Sequence, residues 1–200
     1  MRKSLAVATT IALALPFAST STTSSASEPP PSPSSVLAWN STAVATVLAS
    51  GQFQAQGMVH LAYVQAAVYD AVVAVSHEGR PYVGHLVSRV PASLDAAVAT
   101  SAHDILALQY PGQSTVYDPA YAGALAAITD GPEKDQGVAI GHRAASDVLA
   151  ARSGDGLEAA VPYTFGTGPG VWVLPTDNPS TTPQTPWVGA MRPFLGASRG

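Results

Sequence analysis

The sequence predicts an all-α protein in which about five helices pack around a central apolar helix and a long irregular tail follows. Three observations support this fold class. Residues 54–75 are apolar on nearly every side, which is typical of a helix at the centre of a core. Four other segments repeat apolar residues at helical spacing. From residue 155 onward prolines and glycines break up both helical and strand patterns.

The central segment is interpreted as a buried core helix and not as a membrane span. His60, Gln65 and Asp70 interrupt its apolar run, and an aspartate at mid-span costs roughly 2.5–3.5 kcal/mol on insertion scales. Tyr63 and Asp70 are seven residues apart and therefore share a face. Because an unpaired buried carboxylate is very costly, we expect Asp70 to face a polar partner.

Cap and stop signals delimit the first and third helices. The first is predicted from Val36 to Ser50, with Ser35 as the candidate N-cap and Gly51 as the stop. The third is predicted to follow an N-cap at Ser93, to run to about residue 108, and to end at Tyr110-Pro111-Gly112.

The last two helices are predicted from proline signals. Asp118 and Pro119 read as the N-cap and first residue of the fourth helix, which residues 130–131 end. The fifth helix is predicted over residues 132–152. Gly137 and Gly141 lower its helicity by about 1 kcal/mol each, so we expect them to permit close approach to a neighbouring helix.

The N-terminus carries the pattern of a secretory signal peptide, residues 1–26. Arg2 and Lys3 precede an apolar stretch at 5–17, and small residues end at Ala26. An uncleaved anchor is the alternative.

Cleavage would remove two of the nine basic side chains and leave 7 basic and 13 acidic ones, a net charge of −6. A negative chain without a basic run argues against nucleic acid as a partner.

The rest of the chain divides into three predicted regions. Residues 27–35 form a Pro/Ser linker, 36–153 a helical domain, and 154–200 an irregular connector. We expect the connector to be truncated and to lie over another part of a larger protein. The chain has no cysteine, which excludes disulfides, a thiolate nucleophile and cysteine-ligated metals.

Candidate functional residues are few. The histidines have no pair at the four-residue spacing of a helical metal site, so each is expected to have a structural role; they are His60, His77, His85, His103 and His142. Arg143 and Asp147 are predicted to form a surface pair worth about 0.3–0.5 kcal/mol.

Two glycine-containing segments resemble binding loops only superficially. Residues 152–156 lack the carboxylates of a calcium loop and the Gly-Lys-Ser/Thr of a phosphate loop, so a helix C-terminal turn is predicted. Residues 79–85 carry one Arg and one His, too few for an oxyanion cage. The sequence therefore predicts no catalytic, cofactor-binding or metal-binding residue in this chain.

Several segments resemble a known family in their actual residues as well as in their apolar pattern. They are similar to the N-terminal helical half of secreted bacterial proteins related to vanadium-dependent haloperoxidases, in the type 2 phosphatidic acid phosphatase superfamily. The helical segments are 36–40, 58–75, 95–108 and 137–156, and the connector-like ones are 168–172 and 186–195.

The resemblance implies an all-helical enzyme that holds vanadate or phosphate. In the family a Lys, two Arg, a Ser-Gly-His and a final His bind the oxyanion, and these motifs lie in the C-terminal half. This sequence has no Ser-Gly-His, and its Arg-Pro pairs, at Arg80 and Arg192, stand in other contexts. No catalytic residue is therefore carried over, and no vanadate or phosphate is expected in this chain.

The resulting hypothesis is a secreted, extracellular scaffold that lacks the catalytic half and is inactive alone. Its expected partner is that missing half or a second subunit. Two alternatives stay open: a non-catalytic secreted helical module that binds a partner, and a signal-anchored bundle at the membrane surface. After signal cleavage no stable membrane span is expected.

Overall fold

The computed structural model describes residues 33–173 and 183–196, and these residues contain five α-helices and no strand. The predicted all-α class is therefore confirmed. The helices are α1 (Pro33–Ser50), α2 (Gln54–Ser76), α3 (Leu94–Gln109), α4 (Ser114–Ala126) and α5 (Pro132–Arg152), with 3-10 turns at Pro111–Gln113 and Pro186–Gly189. The predicted signal peptide and most of the predicted linker lie outside the described residues.

Helices α2 and α3 form the core. As predicted, α2 is an apolar helix at the core, with ten buried residues. The shorter α3 lies beside it and packs against all four other helices. Ten of its sixteen residues are buried, and most of these are alanine, serine or threonine. Such small side chains allow neighbouring helices to approach on several faces at once.

Among the described helices, α2 is the one whose length and composition would suit a membrane span. Half of its most apolar 18-residue window is buried among the other helices. The core helix of a folded bundle has the same composition.

Glycines on α5 allow a close contact with a neighbouring helix. A Cβ placed on Gly137 would lie 2.2 Å from the Ser93 carbonyl oxygen. A Cβ on Gly141 would lie 2.5 Å from the Thr100 Cβ and 2.7 Å from the Ala97 carbonyl oxygen. All three distances are far inside van der Waals contact, so the predicted close approach to a neighbouring helix is confirmed, with α3 as the neighbour.

Several helix boundaries follow the predicted signals. The Ser93 hydroxyl caps α3 by accepting from the Ala96 amide at 3.3 Å. Helix α1 stops at Ser50, where Gly51 takes a left-handed φ of 65°. The prediction of Ser35 as N-cap was wrong, because α1 already begins at Pro33. Proline lacks an N–H, and the first helical turn leaves that group unpaired in any case.

The predicted start of α4 was also wrong. The helix begins at Ser114 and ends at Ala126, so Pro119 lies inside it and Asp118 is not its cap. The 3-10 turn at Pro111–Gln113 leads directly into α4, and the first turn is therefore complete before the proline. Pro119 then costs one backbone hydrogen bond, which the tertiary contacts of Tyr117 and Asp118 offset.

As predicted, the buried Asp70 side chain faces polar partners. Its two carboxylate oxygens accept from the backbone amides of Tyr82 and Val83, at 2.5 and 2.9 Å. Burial raises the pKa of Asp70, and the two amide hydrogen bonds oppose that rise. The carboxyl group thus fastens the loop between α2 and α3 to the core.

Replacing Asp70 with asparagine is expected to cost about 2 kcal/mol of unfolding free energy, because its NH2 group would face a backbone N–H. Urea unfolding measures the loss, and protease cleavage in the 77–91 loop should become faster. Asp95→Asn is the control, since Asp95 is exposed in the first turn of α3. Equal stability of the two variants would contradict this role of Asp70.

The tail is only partly detached from the bundle. Residues 157–173 contain no helix or strand, as predicted. Residues 186–194, which we name the C-terminal strap, return to the bundle, where Trp187 is buried and Phe194 packs against the core. This part of the connector packs on its own chain, and the expectation that the connector lies over another part of a larger protein stays a prediction.

Candidate functional site

A cluster of buried ionisable side chains lies where α3 and α5 end beside the first half of α2. We name this cluster the polar junction. Its members are His60 and Tyr63 of α2, Tyr110 after α3, Arg152 at the end of α5, and Asp155. Each of them is about 5% exposed or less. Because these five ionisable groups are all buried and converge at one place, the polar junction is the candidate functional site.

The centre of the polar junction is an ion pair. Arg152 Nε donates to Asp155 Oδ2 at 2.8 Å. The same oxygen accepts from the Tyr63 hydroxyl at 2.7 Å, and Asp155 Oδ1 accepts from the Leu157 amide at 3.0 Å. Both carboxylate oxygens are thus engaged by donors, which is the condition for a buried charge to be tolerated.

Arg152 also holds the C-terminal strap. Its Nη2 donates to the Arg192 carbonyl at 2.6 Å and its Nη1 to the Pro193 carbonyl at 3.2 Å. The ring of Phe194 lies over the guanidinium, 4.2 Å from Cζ to the centroid. The Arg192 amide donates to the Asp155 carbonyl at 2.7 Å. The ion pair therefore links the end of α5, the turn after it and a segment some forty residues later.

The electrostatics keep this pair charged. Burial raises the pKa of Asp155, but hydrogen bonds from Tyr63 and Leu157 and the charge of Arg152 outweigh it, and the pKa lies below its usual value. Burial also raises the pKa of the Tyr63 phenol, and its hydrogen bond to Asp155 adds to that rise. Because the folded-state pKa of Asp155 is depressed, its contribution to stability is complete above the ordinary carboxyl pKa. That contribution is lost as the pH falls through the folded-state pKa.

A second hydrogen-bond chain joins α2 to the end of α3. The Tyr110 hydroxyl donates to Gln52 Oε1 at 2.7 Å and lies 2.9 Å from His60 Nδ1. Since the single phenolic proton points to Gln52, the Tyr110 oxygen accepts from His60 Nδ1–H. Burial lowers the pKa of His60, so its ring is neutral, and burial raises the pKa of Tyr110 to about 12. This chain fixes the tautomer of His60.

A cavity of about 280 Å³ adjoins the polar junction. Tyr63, Gln109, Arg152 and Asp155 form its polar wall, and Leu149 and Leu157 are among its apolar residues. The Nε, Nη1 and Nη2 atoms of Arg152 and both oxygens of Asp155 are engaged within the protein. The arrangement is therefore suited to fastening chain segments, and its charged groups point at one another and at the backbone.

The other sequence-predicted residues lie apart from the polar junction. His77 follows α2 with φ 62°, and its Nε2 contacts the Ser88 carbonyl at 2.9 Å. His103 and His142 share Asp104, and His85 lies in an exposed loop. The predicted surface pair is confirmed, with Arg143 Nε 2.8 and 2.9 Å from the two oxygens of Asp147. In the described ranges, no group of three or more His, Asp or Glu is arranged to hold a metal ion.

The predicted C-terminal turn at residues 152–156 is confirmed, since α5 ends at Arg152. The sequence interpretation missed the burial of Arg152 and Asp155. A signal was present, because Arg152 occupies the position four residues after the buried Val148, on the apolar stripe of α5. A charged residue on a core stripe implies a buried partner.

No protein-family model matches the chain, and searches of curated proteins and of solved structures find no match either. The fold and the polar junction define an all-α bundle with a tethered C-terminal strap. The resemblance to haloperoxidase-like proteins stays a prediction made from the sequence segments.

Proposed function

We propose that this protein is a secreted, non-catalytic helical scaffold of the haloperoxidase-like or acid phosphatase-like type. Its role is to brace an oxyanion-binding half that another segment or subunit supplies. The observation that carries the proposal is the polar junction, where the buried ion pair between Arg152 and Asp155 engages the protein's own backbone. An ion pair whose donors and acceptors are all engaged within the protein positions the chain and has few free donors or acceptors with which to bind a substrate.

The resemblance and the fold support this choice together. An N-terminal helical half of the family is expected to supply packing surfaces, and the described bundle is built from such surfaces. The strap on which the Arg192-Pro193 pair lies is held by the Arg152 side chain, which donates to the Arg192 carbonyl, and by the Arg192 amide, which donates to the Asp155 carbonyl just after α5. In that position the pair contributes to the packing of the tail and is not free to form an oxyanion pocket.

The alternative is a secreted helical module that binds a partner without bracing a catalytic half. Exposed apolar side chains favour it. Leu37, Val44 and Leu48 lie seven and four residues apart on one face of α1, and are 62%, 37% and 75% exposed. Such a stripe on a surface helix is typical of an interaction surface.

An activity assay on the purified protein tests the scaffold proposal. The protein is incubated with vanadate, bromide and hydrogen peroxide and, separately, with a phosphate monoester. We expect no turnover above the buffer blank, because the charged groups of the polar junction are engaged internally. Bromination or phosphate release by the purified chain would overturn the proposal.

Two further measurements separate the alternatives. Sequencing the gene downstream of the Gly200 codon is expected to reveal a continuing frame with a Ser-Gly-His motif. A stop codon there would favour the stand-alone module. Mass spectrometry of the mature protein is expected to find an N-terminus just after Ala26, whereas an intact N-terminus would favour the signal-anchored bundle.

A further inference from the structure

A second cluster of titratable side chains joins α3, α4 and α5 on the side of the bundle where α4 docks. We name it the histidine clamp. At its centre is His103 of α3, whose Nε2 lies 3.0 Å from Asp118 Oδ1 of α4 and whose Nδ1 lies 3.2 Å from Asp104 Oδ1. The other oxygen of Asp104 accepts from His142 Nδ1 of α5 at 2.5 Å. Three helices therefore meet through one imidazole and one carboxylate.

The aromatic residues of α4 enclose the same imidazole. The Tyr121 ring stacks on His103 with centroids 4.1 Å apart and an angle of 19° between the planes. Tyr117 meets the imidazole edge-on at 5.5 Å. The side chain of His103 is only 18% exposed. Among the described residues, the side-chain hydrogen bonds and aromatic contacts between α3 and α4 involve His103, apart from the Thr100 to Tyr121 hydrogen bond.

The protonation state of the His103 imidazole decides how many of its hydrogen bonds to Asp104 and Asp118 can form. A neutral imidazole donates from one nitrogen only, so it satisfies either Asp104 or Asp118. An imidazolium donates from both nitrogens, and each hydrogen bond to a carboxylate then becomes charge-assisted. A cation stacked on a tyrosine ring gains a further attraction. Protonation therefore strengthens the contacts of His103 with Asp118 and with the Tyr121 ring on α4.

We propose that the histidine clamp is a pH-sensitive device that holds α4 tightly on α3 when His103 is protonated and loosens α4 when His103 is neutral. Helix α4 is suited to such a change. It packs mainly on α3 and α1, and Tyr117 is its one fully buried residue. The sites of the proposed function lie elsewhere, in the polar junction.

The surrounding charges set the direction of the response. The hydrogen bond to Asp104 raises the pKa of His103; partial burial opposes it, and Asp118 adds to the rise. His142 faces Asp104 from α5, and hydrogen bonds from both histidines hold the pKa of Asp104 below its usual value despite burial. Burial raises the pKa of Tyr117, which therefore stays neutral.

The sign follows from the raised pKa of His103. The folded state binds the proton more tightly than the state with α4 detached, so docking is strongest below the ordinary imidazole pKa. The extra stability is lost as the pH rises through the folded-state pKa of His103. Each pKa unit of difference changes the opening equilibrium of α4 about tenfold.

Hydrogen exchange of the α4 amides tests the proposal on the full chain. Protection factors, corrected for intrinsic exchange, are measured between about pH 5.5 and about pH 8.5, on either side of the ordinary imidazole pKa. We expect protection in α4 to fall severalfold across this range while protection in α2 stays constant. The His103→Gln variant should show low protection at both ends and no pH dependence.

Two matched variants make the outcome decisive. His85→Gln removes an exposed loop histidine and should keep the wild-type pH dependence. Asp118→Asn leaves the imidazole stacked on Tyr121 and should lower the pKa of His103 measured by NMR, moving the loosening to lower pH. The proposal is overturned by equal α4 protection at both pH values in the wild type, or by an unchanged pH dependence in His103→Gln.

Discussion

Replacing Arg152 with alanine is expected to lower the free energy of unfolding by about 3–5 kcal/mol, since it leaves the buried carboxylate of Asp155 without its counter-charge. The loss also removes the donors to the Arg192 and Pro193 carbonyls, so the C-terminal strap should detach. Chemical unfolding followed by circular dichroism measures the free energy. Limited proteolysis of the strap, in which Trp187 is buried, reports the detachment.

The same helix supplies the control for this prediction. Arg143 pairs with Asp147 four residues later on α5, but its side chain is 67% exposed. Arg143→Ala should therefore cost no more than about 0.5 kcal/mol, as is usual for exposed pairs. The role assigned to the polar junction is refuted if the two alanine variants unfold at the same denaturant concentration, or if the strap of the Arg152 variant resists protease as well as that of the wild type.

The helices were predictable because their signals are local. Ser93, Gly51 and Pro132 mark boundaries through their own backbone and capping preferences, and α3, α1 and α5 begin or end beside them. Asp118 and Pro119 led to a wrong prediction of the start of α4 for the same reason. Their local preference indicates a helix start, but Asp118 instead contacts His103 and a 3-10 turn begins the helix earlier. A tertiary contact overrode a correct local preference.

Local signals indicated only part of the polar junction, because the position of Arg152 on the apolar stripe of α5 indicates burial but does not identify its partners. Arg152 and Asp155 are three residues apart, which is compatible with an exposed turn as much as with a buried pair. What buries them is the strap, and the strap reaches them from about forty residues away. Phe194 of the strap covers the guanidinium, and Tyr63 of α2 completes the enclosure from another part of the chain. The spacing of residues within one segment does not show whether a distant segment will pack over them and bury them.

The double variant Gly137→Ala, Gly141→Ala is expected to destabilise the bundle by up to about 4 kcal/mol in total, which is the upper limit of the overpacking cost less the gain in helix propensity. Each added methyl group overpacks the contact between α5 and α3, at about 1–3 kcal/mol per site. At Gly137 the obstacle is the Ser93 carbonyl oxygen, a backbone atom that cannot rotate away, and Ser93 also caps α3. The gain in helix propensity, about 1 kcal/mol per substitution, offsets only part of this cost. Thermal and urea unfolding of the single and double variants measure the sum.

Gly123→Ala is the matched control, because it makes the same chemical change in a helix where the added Cβ meets nothing within 4 Å. It should stabilise the protein by about 0.5–1 kcal/mol through helix propensity and a less flexible unfolded chain. Opposite changes in unfolding free energy for the same substitution on α4 and α5 would then separate the effect of steric contact from that of helix propensity. If the α5 variants were also stabilised, α5 would not lie as close to α3 as the described backbone places it, and α3 could not be the helix that contacts all four others.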